Sequence, residues 1–174
     1  MLDEFKDISI RGRLAYGMIC LENALRQFGI KDELLDNIIL PRIWEFTSSS
    51  HLDDWEIQIN EIDPTCVLDV ELTADTFDLT TLSFNNYTKL LRLYKTLPND
   101  IVELIADTIR IGVANIYAGT ESYSPLTLVP LTDVFKTCKK IGLNLPSVET
   151  FKNSAFSESQ GWGDERPREY FIKE

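Results

Sequence analysis

Between Ile43 and Thr88 the chain has no lysine and no arginine, although the same stretch holds ten aspartates and glutamates. Residues 1–42 carry seven acids against six bases, and residues 89–174 carry eleven of each. The formal charge of −11 therefore arises almost wholly in about a quarter of the chain. A field of that sign repels phosphates, which argues against nucleic acid and anionic membranes as partners, and it steers basic proteins inward. Histidine occurs once, as His51, so no histidine metal cluster can form and a serine or cysteine triad would have to use that one residue. The three cysteines, Cys20, Cys66 and Cys138, are odd in number and lie at no metal-ligand spacing, which predicts small core residues in a reducing compartment. The sequence also lacks a P-loop, a G-x-S-x-G elbow and a dinucleotide fingerprint. No apolar run approaches the roughly 20 residues of a membrane span. The opening "MLDEFKDISIRGR" carries both signs of charge and reads as neither signal peptide nor anchor, so a cytoplasmic location is expected.

What is present is helical periodicity. Leu14, Met18, Leu21, Leu25 and Phe28 alternate at spacings of four and three, one stripe of a helix. Gly17, Cys20 and Ala24 form a second stripe of small residues, which predicts a central helix crossed closely by a neighbour and stopped at Gly29. A second helix is expected from Asp32, kinked or split at Pro41. A third follows Ser50 as N-cap, with Leu52, Trp55, Ile59 and Ile62 inward, and ends at Pro64. Residues 65–81 lack a helical period and read as a long acidic loop. Further helices are expected from Ser83 to Pro98, from Asn99 or Asp100 towards Gly119, and from Ser124-Pro125 or Pro130 to Gly142. The expectation is an all-α fold: a single domain over residues 1–174 with five to seven helices. Residues 146–174 form a tail laid across it by Phe151, Phe156, Trp162, Tyr170 and Phe171, with a short helix near 147–153.

Carboxylates are the only chemically suggestive group in quantity. The stretch "DVELTADTFDLT" resembles a calcium loop superficially, but Ala74 and Thr80 stand where that loop needs glycine and glutamate. No metal and no cofactor is expected. A paired-carboxylate acid–base system requires a concavity with two convergent acids, which spacing alone does not reveal. The residues expected to meet a partner are Asp53, Asp54, Glu56 and Glu61 on the third helix, Asp69, Glu71 and Asp75 in the loop, and Trp162 between two tail glycines. Trp55 reads as core support for that helix.

The segments "DISIRGRLAYGMICLENALRQFGI", "IWEFTSSSHLDDWEIQINEIDP" and "FSESQGWG" resemble a group of small, acidic, all-helical bacterial proteins associated with the immunity partners of polymorphic toxins. The likeness covers the first 65 residues and the short tail. It implies a cytoplasmic antidote that binds and blocks a toxin, and it transfers no catalytic residue. A basic, nuclease-type toxin would suit the field of residues 43–88. An adaptor binding some other basic protein through the same face is the alternative, and a carboxylate-based enzyme is a third.

Overall fold

Ser9 begins the central element. Its backbone is extended and its Oγ accepts from the N–H of Gly12 at 3.1 Å, an N-cap for helix α1, Ile10–Gln27. In the computed structural model, which describes residues 2–172, α1 is buried along most of its length. The small-residue stripe does what its composition predicts: a Cβ on Gly17 would sit 3.2 Å from Ile111 and Thr108 of a crossing helix. Gly29, at a φ of +65°, stops α1, and the N–H of Ile30 returns to the Leu25 carbonyl at 2.9 Å.

The crossing helix is α6, Asn99–Val113, and it packs between α1 and α7, Pro125–Lys140. Gly112 of α6 is a second close approach that the sequence reading passed over. A Cβ there would lie 2.7 Å from Trp55 and 2.9 Å from Leu14. Helix α5, Phe84–Thr96, turns Tyr87, Leu90, Leu91 and Tyr94 inward as its period dictates. The shorter helices are α2, Leu40–Glu45; α3, Leu52–Asn60; α4, Pro64–Asp69; and α8, Arg168–Phe171. Among the described residues there is no β-strand, only one isolated bridge between Ile8 and Ala155. The fold is all-α and forms one domain.

Several boundaries differ from the sequence reading for physical reasons. The chain stays helical through Pro41 and is not split there. The turn before it, Leu35–Ile39, is π-helical, and the Leu40 N–H bonds the Leu35 carbonyl. Widening that turn accommodates the missing proline N–H and the bulk of its ring. Pro64 does not simply end α3. It is the first residue of α4, and Asp63 caps it by accepting from the Thr65 N–H at 2.7 Å. Proline pre-set at N1 behind an aspartate is a helix start. His51, not Ser50, occupies the cap position of α3 and makes no side-chain cap bond. Helix α6 ends at Val113, six residues short of Gly119, and Pro98 occupies its cap position.

A 3-10 segment, Val148–Asn153, seats Phe151 against Tyr16 with ring centroids 5.0 Å apart, and Phe171 stacks on Trp44 at 6.4 Å.

Candidate protein-binding surface

Helix α3 sets the geometry of the acidic face. Trp55 and Ile59 are buried, and the Trp55 Nε1 donates to the Arg42 carbonyl at 2.7 Å, which pins the helix against α2. A helical period then sends Asp53, Ile57 and Asn60 to solvent. All three are exposed, Ile57 to 55%. Asp53 and Asp54 sit in the first turn, where the positive helix end favours them. Glu56, half-buried at the edge, accepts a short hydrogen bond from the hydroxyl of Tyr117. Tyr117 lies in the turn after α6 and is 85% exposed.

The loop beyond α4 extends this face. Asp69, Glu71, Asp75 and Asp78 are exposed, interleaved with exposed Leu68 and Val70. Glu71 pairs with Lys95 at 2.9 Å. Asp53, Asp54, Asp69, Asp75 and Asp78 form no ion pair among the described residues.

Two acids of the segment are not part of any open face. Glu61, named above as a partner-binding residue, is buried at the end of α3. Its Oε1 accepts from the Thr80 N–H at 2.6 Å and its Oε2 from the Thr81 N–H at 3.0 Å, with Arg42 at 3.9 Å. Burial would raise its carboxyl, but the Thr81 and Thr80 hydrogen bonds outweigh that and hold it below the ordinary range. Glu61 is a clasp that fastens the loop to α3. Asp63 is the buried cap of α4. No local signal separates Glu61 from its exposed neighbours, because its partners come from residues 80–81, whereas Asp63 is marked by the Pro64 that follows it.

Trp162 is half-buried and packs on Phe46 at 6.3 Å. Its carbonyl accepts from the Arg11 N–H at 3.0 Å, and Arg11 Nε donates to the Gly163 carbonyl at 3.1 Å. Gly163, at a φ of +85°, lies so close to Ser9 that a Cβ would be 2.3 Å from its Oγ. Arg11 and Arg13 are both buried and make no ion pair among the described residues. Arg13 spends its five donors on the carbonyls of Phe5, Lys6, Tyr123 and Ser124 and on Thr127 Oγ1. Burial lowers Arg13 to about 10, so it stays charged at neutral pH. The "SIRGR" and "GWG" motifs thus meet each other as one packing unit, remote in sequence and joined in space.

Cys20 and Cys138 are buried, and their side chains are hydrogen-bond neighbours. Cys66 is exposed, against the expectation of a core residue, because α4 is only six residues long and turns just Val67 inward behind Pro64. His51, Asp53 and Asp54 bring one ligand atom each within 4.8 Å of one another, all exposed. The free N–H groups of the α3 first turn face the same region and favour anions, so this cluster carries no metal assignment.

A concavity with convergent acids does exist elsewhere. It measures about 440 Å3 between α6 and α7 and is lined by Glu103, Asp107, Asp133 and three bases. Burial raises the Asp107 carboxyl to about 6, opposed by Arg110. Arg110 lies 2.6 Å from Asp107 and 3.7 Å from Asp133, and Lys136 lies 2.8 Å from Asp133. Here the charges are matched, as in an interhelical ion network. No helix among the described residues is long and apolar enough to cross a membrane. No family model, curated protein or solved structure matches the chain.

Proposed function

We propose that this protein is a cytoplasmic immunity protein that neutralises a basic bacterial toxin by binding it. The supporting observation is a set of five exposed aspartates without ion pairs, interleaved with exposed Ile57, Leu68, Val70 and Tyr117. Charge alone serves solubility. Charge around apolar and tyrosine anchors has the composition of a recognition surface, where the rim steers and the anchors hold. A nuclease-type toxin, basic because it must grip phosphates, would present the complementary field.

The test uses the protein encoded beside this one in the genome. Co-expression should abolish that protein's toxicity, and the two should co-purify. The variant carrying Asp53→Lys, Glu56→Lys and Asp78→Lys should keep its fold and associate about tenfold more slowly at low salt, with a flatter salt dependence. Glu61 is left intact, because its charge holds the loop. Co-purification with a harmless basic partner would point instead to an adaptor. An unchanged on-rate in the variant would make the face a solvated one.

A further inference from the structure

A cavity of about 180 Å3 opens within the acidic face, between the end of α3, α4 and the loop that Glu61 fastens. Its walls are mostly apolar: Val67, Val70, Leu72, Leu79 and the Tyr87 ring, with Cys66 at the side. Two hydrogen bonds fix the shape of one wall. The Tyr87 hydroxyl donates to the Val70 carbonyl at 3.1 Å and accepts from the Leu72 N–H at 2.8 Å. Glu61 fixes the opposite side through Thr80 and Thr81. Three features decide what fits. The volume is below the roughly 300–1,000 Å3 of small-molecule sites. It matches the engineered apolar cavities of about 150 Å3 that accept one benzene. Exposed Asp78 lines the cavity, and exposed Asp69 and Glu71 flank the wall residue Val70 in the chain, Glu71 in a pair with Lys95.

We propose that this cavity is an anchor pocket for a single apolar side chain, leucine- or phenylalanine-sized, flanked by lysine and arginine on the surface of a basic protein partner. The apolar side chain supplies the affinity and the flanking cations meet the acids beside it. This rests on the acidic face being a binding surface and adds the point of insertion and the partner residue type that enters it.

The probes are two synthetic peptides, Lys-Arg-Leu-Arg-Lys and the same sequence with serine at the centre, applied to the full chain. Cys66 lines the pocket, and the other two cysteines are buried, so alkylation by iodoacetamide at mildly alkaline pH reports on this site. Both peptides should bind more weakly as salt rises. Only the leucine peptide should slow Cys66 alkylation, and it should bind about tenfold more tightly than the serine peptide, the scale of one buried aliphatic side chain. Val70→Ser, an exposed wall residue whose change leaves the core alone, should erase that preference and keep the salt dependence. Equal, salt-sensitive binding of both peptides with no protection of Cys66 would overturn the pocket and leave the charged face standing. Leucine-dependent protection without salt dependence would overturn the cationic flanks and, with them, the charged-face reading. Binding of neither peptide would overturn both.

Discussion

Asp133 in α7 lies 2.8 Å from Lys136 and 3.7 Å from Arg110, Asp100 lies 2.5 Å from Lys140, and Glu158 lies 3.1 Å from Arg166. Asp53, Asp54, Asp69, Asp75 and Asp78 pair with no lysine or arginine among the described residues. The acids of α7, the start of α6 and the Glu158 turn have basic partners within the chain, whereas in the acidic segment only Glu71, with Lys95, and Glu61, with Arg42, do so among the described residues. The pairs themselves add little, since exposed ion pairs contribute about 0–1 kcal/mol each. What differs is repulsion. Like charges that find no partner within the chain work against the compact state, and only an external cation relieves them. The contrast teaches where to expect structural acids and where to expect acids that serve an encounter.

The largest effect expected comes from the exception inside the acidic segment. Glu61→Ala removes the clasp on residues 80–81 and should cost about 2 kcal/mol, seen as a lower midpoint in urea unfolding. The loss has a definite pH window. The Glu61 carboxyl is held below 4.5, so its contribution is present above that value and fades as pH falls through the depressed one. Parent and variant should therefore converge in strong acid. A variant as stable as the parent at neutral pH would mean that the loop needs no fastening, and the contrast would lose its exception.

The next effect has the opposite sign. Asp107 is the strained acid of the paired region, raised from 3.8 to about 6 by burial. The folded chain holds that proton more tightly than the unfolded chain does. Its stabilising contribution is complete below about 3.8 and is lost as pH rises through about 6. Asp107→Asn should consequently gain on the order of 1 kcal/mol at neutral pH and nothing near pH 4, read by thermal melts across pH. A loss at neutral pH would show that the Arg110 bridge outweighs desolvation.

The smallest effect probes the open charges directly. Asp75→Lys with Asp78→Lys should raise stability by a few tenths of a kcal/mol at low salt, and the gain should vanish above about 1 M salt, where screening acts within roughly 3 Å. A gain that persists at high salt would assign the effect to packing rather than to repulsion.

The elements readable from the sequence were those whose cause lies within one or two turns. The stripe from Leu14 to Leu25, the stop at Gly29 and the inward row Tyr87, Leu90, Leu91 and Tyr94 follow from helical period alone. Helix α4 was hidden because its start signal, Asp63 before Pro64, doubles as a stop signal for α3. The π-helical turn before Pro41 replaces one i→i−4 bond by the wider Leu40-to-Leu35 bond, a choice that local propensity does not encode. In the candidate site, Asp53 and Asp69 lie where their exposure was expected. Glu61 does not, because its hydrogen-bond donors are about twenty residues downstream. Arg11 and Arg13 gave no warning of burial, since a buried guanidinium is satisfied by carbonyls from distant chain segments that composition cannot show.

The Arg11 clasp also has a bearing on synthesis. Its guanidinium reaches acceptors at Phe46 and Ser49 early, but the Gly163 carbonyl and the Trp162 backbone bond arrive some 150 residues later. Ser9 waits equally long for Ser154. While the middle of the chain is being made, water satisfies these donors and the seam stays open. It closes only across loops of about 150 residues, which makes it a late step of folding with high contact order.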